Sequence, residues 1–116
     1  MDEEKFRELV TEALDSLPKE FAEKLSNVSV TVEDFPTSYQ LRKSKLPPGA
    51  LLLGLYEGVP QTKRGIYYST LPDKITIFKN SIERVTRTEE EIKAQVRATV
   101  IHEIGHHFGL SDSEMK

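Results

Sequence analysis

Apolar positions recur along this chain with two different periods, and the changes of period mark out its elements. In residues 3–17, Phe6, Leu9, Val10, Ala13, Leu14 and Leu17 share one stripe at helical spacing, which predicts an amphipathic helix covering a sheet. Pro18 breaks it or opens a short second turn carrying Phe21, Ala22 and Leu25. Val28, Val30 and Val32 alternate with polar residues, the pattern of a half-buried strand. From Asp34 to Gly49 the periodicity vanishes. Pro36, Pro47, Pro48 and Gly49 punctuate this stretch and Arg42, Lys43 and Lys45 make it basic, so it reads as a long loop, a solvated connection or a lid over substrate.

Leu51–Tyr56 is a continuous apolar run between Gly49 and Gly58, suited to a buried strand. A turn over Pro60–Gly65 leads to a returning strand at Ile66–Ser69, and Leu71-Pro72-Asp73 turns again into a strand over Lys74–Lys79. Asn80-Ser81 offers a cap for a short helix containing Ile82 and Val85. The expectation is a single α+β domain over residues 1–116, with helices packed on a four-stranded mixed sheet.

The last periodic segment is the most informative. Ile92, Val96, Val100, Ile104 and Phe108 recur every four positions as a slowly drifting stripe, Thr88-Glu89-Glu90-Glu91 reads as a capping box, and Gly109 suits a left-handed stop. A helix over about 89–109 follows. Its other side carries Gln95, Ala98, His102, Gly105, His106 and Gly109, with small residues that let a strand or a substrate backbone come close.

That helix ends in His102-Glu103-Ile104-Gly105-His106-His107-Phe108-Gly109-Leu110-Ser111-Asp112. Residues four apart on a helix lie one turn above each other, so His102 and His106 can grip one ion. Glu103 stands where a zinc hydrolase carries its general base. A turn at Gly109 brings Asp112 back as a third ligand, although Glu114 is also near. Two histidines and a carboxylate leave the fourth position of zinc open to water, the arrangement of a catalytic site. His107 lies about 100° around the helix from His106. It can contact Glu103 or substrate, or stand exposed without a role. Tyr67 and Tyr68 are candidates to steady an oxyanion, or are ordinary strand aromatics.

Composition narrows the partners. The net charge of −3 argues for neither nucleic acid nor an anionic membrane, and the absence of cysteine leaves histidine and carboxylate as the metal ligands. No stretch is apolar enough to span a bilayer, and Met1-Asp2-Glu3-Glu4 is unlike a signal peptide, so the cytoplasm is the expected compartment.

The motif residues His102, Glu103, His106, Gly109 and Asp112, with the chain length and element order, resemble the small bacterial zincin-like metallopeptidases, the minimal zincin family. The resemblance covers essentially the whole chain, with its specificity concentrated in the last helix and turn. It implies a zinc peptidase whose edge strand takes peptide substrate as an added strand, and Ile66–Ser69 is the expected edge. Compared with metzincins, Asp112 replaces the third histidine. A Met-containing turn further on is not expected, since Met115 lies too close to serve.

Two other functions compete. A metal-dependent endoribonuclease would keep the metal but use a third histidine, and Glu103, Asp112 and the acidic balance weigh against it. An inactive zincin would use the metal only to stabilise a binding surface.

Overall fold

The computed structural model describes residues 1–47, 49–58 and 72–109. Among them the chain runs α1 (Glu3–Asp15), α2 (Lys19–Lys24), β1 (Val28–Glu33), α3 (Ser38–Ser44), β2 (Gly54–Glu57), β3 (Asp73–Phe78), α4 (Lys79–Arg84) and α5 (Glu89–Phe108). The class is α+β, as expected. The sheet has three strands among the described residues, in the order β1-β3-β2, with β1 parallel and β2 antiparallel to β3. It is mixed, as the sequence implies. The expected strand at Ile66–Ser69 and the turn over Pro60–Gly65 lie outside the described residues.

β3 is the central strand and is covered on both faces. Ile75 and Ile77 point into the main core with Phe6, Leu9, Phe21, Val96, Val100 and Ile104. On the opposite face Phe78 joins Leu52 and Leu55 in a second, smaller cluster. The run from Ile75 to Phe78 is therefore buried without alternation. β1 alternates because its other face meets solvent: Val32 is buried, while Val28 and Val30 pack against the core from its margin.

The helices follow their stripes. α1 begins at Asp2, whose side chain accepts from the Lys5 N–H at 2.8 Å, and buries Phe6, Leu9, Val10 and Ala13. Pro18 stands at the cap of α2, which buries Phe21. At the start of α5 the Thr88 hydroxyl accepts from Glu91 N–H, and the Glu91 carboxylate accepts from the N–H of Arg87, one residue before the position a capping box would use. Gly109 stops α5 at φ +69°, the left-handed turn expected of it. The stripe of α5 is buried as far as Ile104, but Phe108 is 48% exposed with the Lys24 ammonium 5.6 Å above its ring. No helix among the described residues is long and apolar enough to cross a membrane.

Two local expectations are corrected. The stretch expected as a loop contains α3, which is set by its cap rather than by a core stripe. Thr37 and Gln40 form a complete capping box, while Tyr39 and Leu41 remain exposed, so no apolar period marks the helix. Buried Gln40 also donates to Glu57 at 3.1 Å, and Lys43 pairs with the same carboxylate, tying α3 to the end of β2. Second, α4 is not capped by Asn80 or Ser81. It starts directly after β3 with Phe78 at the cap, because the Phe78 N–H is held by Leu53 O at 3.0 Å while its ring is fully buried.

β2 docks along α5 in matched steps. Gly54 lies against Thr99, Tyr56 binds Glu103, and Gly58 lies against His107. Each step is two residues of strand and four of helix. Two strand residues advance about 6.6 Å, and four helical residues rise about 6 Å, so the repeats nearly coincide. The approach is tightest at Gly54, where an added Cβ would stand 2.7 Å from the Thr99 methyl and 3.1 Å from Thr76 O. The close-approach glycine thus sits on the strand. Gly105, which the sequence places on the open side of α5, is buried. Gly54→Ala is expected to destabilise by about 1–3 kcal/mol, the usual cost of overpacking. Thr99→Ser removes the opposing methyl and should recover most of that loss in the double variant. Urea unfolding across this mutant cycle checks the coupling; strictly additive costs would mean that strand and helix simply move apart.

Candidate functional site

The C-terminal half of α5 forms one wall of a groove of about 230 Å³. Gln95, Ala98, Thr99, His102, Glu103 and His106 line this wall, and Leu46, Leu51, Leu52, Leu53 and Gly54 line the other. The helical spacing holds as expected: the His102 and His106 rings stand one above the other, with centroids 5.3 Å apart and planes tilted by 40°. Both histidines are exposed, whereas Ile104, on the far side of the helix, is completely buried. Core face and groove face are therefore separated as the stripe implies.

Glu103 is held in place. Its Oε1 accepts a hydrogen bond from the backbone N–H of Tyr56 at 2.8 Å, short and charge-assisted. Partial burial pushes the proton affinity of this carboxyl up. The Tyr56 N–H and the nearby imidazoles of His106 and His102 pull it down. Burial wins, and the group sits above its ordinary range. A carboxylate poised in this way is a stronger base than one in open water.

The other expected residues fall differently. His107 turns to Tyr56 and Asp73 rather than to Glu103. Its ring stacks on Tyr56, with centroids 4.0 Å apart and planes 15° from parallel, and its Nε2 is 3.9 Å from Asp73 Oδ2. Tyr67, Tyr68 and Asp112 lie outside the described residues, as do Glu114 and Met115. Among the described residues no group of three or more His, Cys, Asp or Glu side chains is arranged to hold a metal ion. The pair His102 and His106 is what they contribute. Donor chemistry fits zinc: two imidazoles on one exposed helical face, with a carboxylate beside them.

Tyr56 is the residue that sequence reasoning missed. It takes part through a backbone N–H, which no side-chain pattern announces. Its position beside Gly58 at the end of an apolar run was the one available sign, and that sign predicts only a strand end.

The sequence pattern of the zincin-like metallopeptidases matches residues 25–116. The chain belongs to this family. The match takes in the groove, α5 and everything that follows it. No match is found among curated proteins. A solved structure of a conserved hypothetical protein from Thermo thermophilus is similar, with 28% sequence identity and a TM-score of 0.62 over 93% of this chain and 94% of that one. The architecture is thus shared by another protein of nearly equal extent.

The bond from Tyr56 to Glu103 sets a test of the zincin-like site without any metal. In metal-free protein, Glu103→Ala leaves the Tyr56 N–H without its acceptor and is expected to cost about 1–3 kcal/mol. Glu103→Gln keeps an oxygen there and should stay close to the parent. Thermal and urea unfolding of both variants decide the point, and equal stability of the two would mean that the bond contributes nothing.

Proposed function

We propose that this protein is a zinc-dependent peptidase that hydrolyses peptide bonds within the groove beside α5. The carrying observation is the placement of Glu103: its carboxylate is fixed by Tyr56 N–H within the groove that His102 and His106 line. In this reading His102, His106 and Asp112 hold the ion, and a peptide or protein is the substrate. Zinc, when bound, supplies Lewis acidity that brings the pKa of a water towards about 7 and polarises a carbonyl.

The chain's own residues do the rest. Glu103 takes the proton of the attacking water on its second oxygen, since Oε1 is engaged by Tyr56. Its burial-raised proton affinity supports that transfer. The same carboxyl then passes the proton to the departing amine, so proton uptake and release balance. Gly54 and Tyr56 alternate with Leu55 along β2, so the backbone of Gly54 lies towards the same side as the N–H that binds Glu103. A peptide lying there runs beside the strand. In this reading β2 borders the cleft, and the expected edge at Ile66–Ser69 lies outside the described residues.

The groove also bears on substrate choice. Among the described residues its lining has no charged side chain apart from Glu103 and the histidines, and Leu46 and Leu51 present exposed apolar surface. Its volume is below the roughly 300–1,000 Å³ of a small-molecule pocket, so it suits one side chain of an extended peptide. In a peptide library, cleavage should concentrate next to bulky apolar residues, and Leu51→Asp should lower kcat/KM for those peptides by about tenfold, the effect of losing one apolar subsite contact.

The central test is zinc content and peptide cleavage in parallel. The parent protein is expected to bind close to one zinc per chain, His106→Ala to lose it, and Glu103→Gln to keep it while turnover falls by at least about a hundredfold, the low end of general-base effects. Zinc retained without cleavage in the parent would favour the metal-stabilised binding module. A parent that takes up no zinc would overturn the reading entirely.

A further inference from the structure

Three elements meet on Tyr56. From β2, its N–H donates to Glu103 Oε1 at 2.8 Å. Towards β3, its phenol O–H donates to Asp73 Oδ2 at 2.7 Å. From α5, the His107 ring lies flat on its own ring at 4.0 Å. The pairing explains why these groups meet: Tyr56 stands opposite Ile75, so Asp73, two residues earlier on β3, is its diagonal neighbour on the helix-covered face. His107 is four residues beyond Glu103 and therefore above it on the same side of α5. Its Nε2 lies 3.9 Å from the Asp73 oxygen that accepts from the phenol. That is too long for a hydrogen bond, and the ring is held by its stack on Tyr56 and by an edge contact with Phe108 at 4.9 Å. Gly58, just past the end of β2, backs the cluster: an added Cβ would stand 3.6 Å from both His107 Cε1 and Asp73 Oδ1.

None of the three side chains lines the groove. Among the described residues they form a layer behind it, joined to the groove through the Tyr56 N–H.

We propose that Tyr56, Asp73 and His107 form a positioning clamp for Glu103. The clamp fixes the Tyr56 peptide plane against α5, and the N–H in that plane sets the orientation of the carboxylate. His107, although adjacent to His106, then serves as the upper jaw of the clamp rather than as a metal ligand or a donor to substrate. Tyr56 and its partners are positioning residues, acting on the reaction only through Glu103. This inference rests on the assignment of Glu103 as general base, but its structural part is measurable in protein without metal or substrate.

The first experiment is amide NMR and hydrogen exchange on metal-free protein. The amide proton at position 56, donated to a carboxylate, is expected downfield, with Glu103→Gln moving it upfield and so identifying the bond. Tyr56→Phe removes the phenol bond, and His107→Ala removes the stack. Each should shift that amide and speed its exchange roughly tenfold, about the net worth of one hydrogen bond, while the amides of Val96 and Val100 keep parent rates. His107→Phe keeps a flat ring and should restore most of the protection. With an active enzyme, the same two variants should lower kcat by roughly tenfold with KM and zinc content unchanged, the signature of an interaction made only in the transition state. An amide at position 56 that is indifferent to both substitutions would overturn the clamp. Uniformly faster exchange along α5, unrescued by His107→Phe, would overturn it too, by reducing the cluster to general packing. A parent that cleaves no peptide but shows the amide pattern would refute the peptidase reading and leave the clamp standing.

Discussion

The site depends on how closely β2 can lie against α5. At Gly54 the strand backbone comes within reach of the Thr99 methyl, leaving no room for a side chain on the strand. Two residues on and one helical turn along, the same approach brings Tyr56 N–H to 2.8 Å from Glu103. A strand held further away by even one methyl group would lose that bond, because hydrogen bonds weaken steeply beyond about 3.2 Å. The match between two strand residues and four helical residues keeps the two elements in step from Thr99 to His107. Core packing supplies the force behind it: Ile75 and Ile77 on β3, and Val96, Val100 and Ile104 on the helix, are all essentially without solvent contact.

This docking resolves a conflict at Glu103. Burying a carboxylate favours its protonated form, and hydrogen bonding from an N–H favours the ionised one. A site with burial alone would hold a neutral acid, and one with several donors would hold a weak base. Here partial burial is opposed by one backbone donor and by the imidazoles of His106 and His102, and burial prevails. The result is a carboxyl with raised proton affinity that still has a fixed orientation, the combination that proton transfer to and from a substrate calls for. That carboxyl stands beside His102 and His106 in the lining of the groove.

What the sequence revealed was governed by local and periodic rules. Helix α5, its Thr88 start, its Gly109 stop, the stacking of His102 over His106 and the burial of Ile104 opposite them all follow from a 3.6-residue repeat and from capping chemistry. So do the valines of β1, by their period of two, and the stripe of α1. Where burial did not accompany an element, the pattern was silent: α3 exposes Tyr39 and Leu41 and is held by a capping box and by Gln40 reaching Glu57, so no stripe marked it. Phe108 fits the period but not the core, since the core ends one turn before it.

The sequence alone determined the helix that bears the two histidines and the glutamate, because side-chain spacing on a helix is set by backbone geometry. Only the tertiary structure decided what those side chains meet. Tyr56 reaches Glu103 through a peptide N–H that every non-proline residue possesses. His107 turned to Tyr56 and Asp73 because strand pairing placed that aspartate diagonally beside the tyrosine. Such contacts join residues tens of positions apart, and they arise from the docking distance between a strand and a helix, a quantity written in no single stretch of chain.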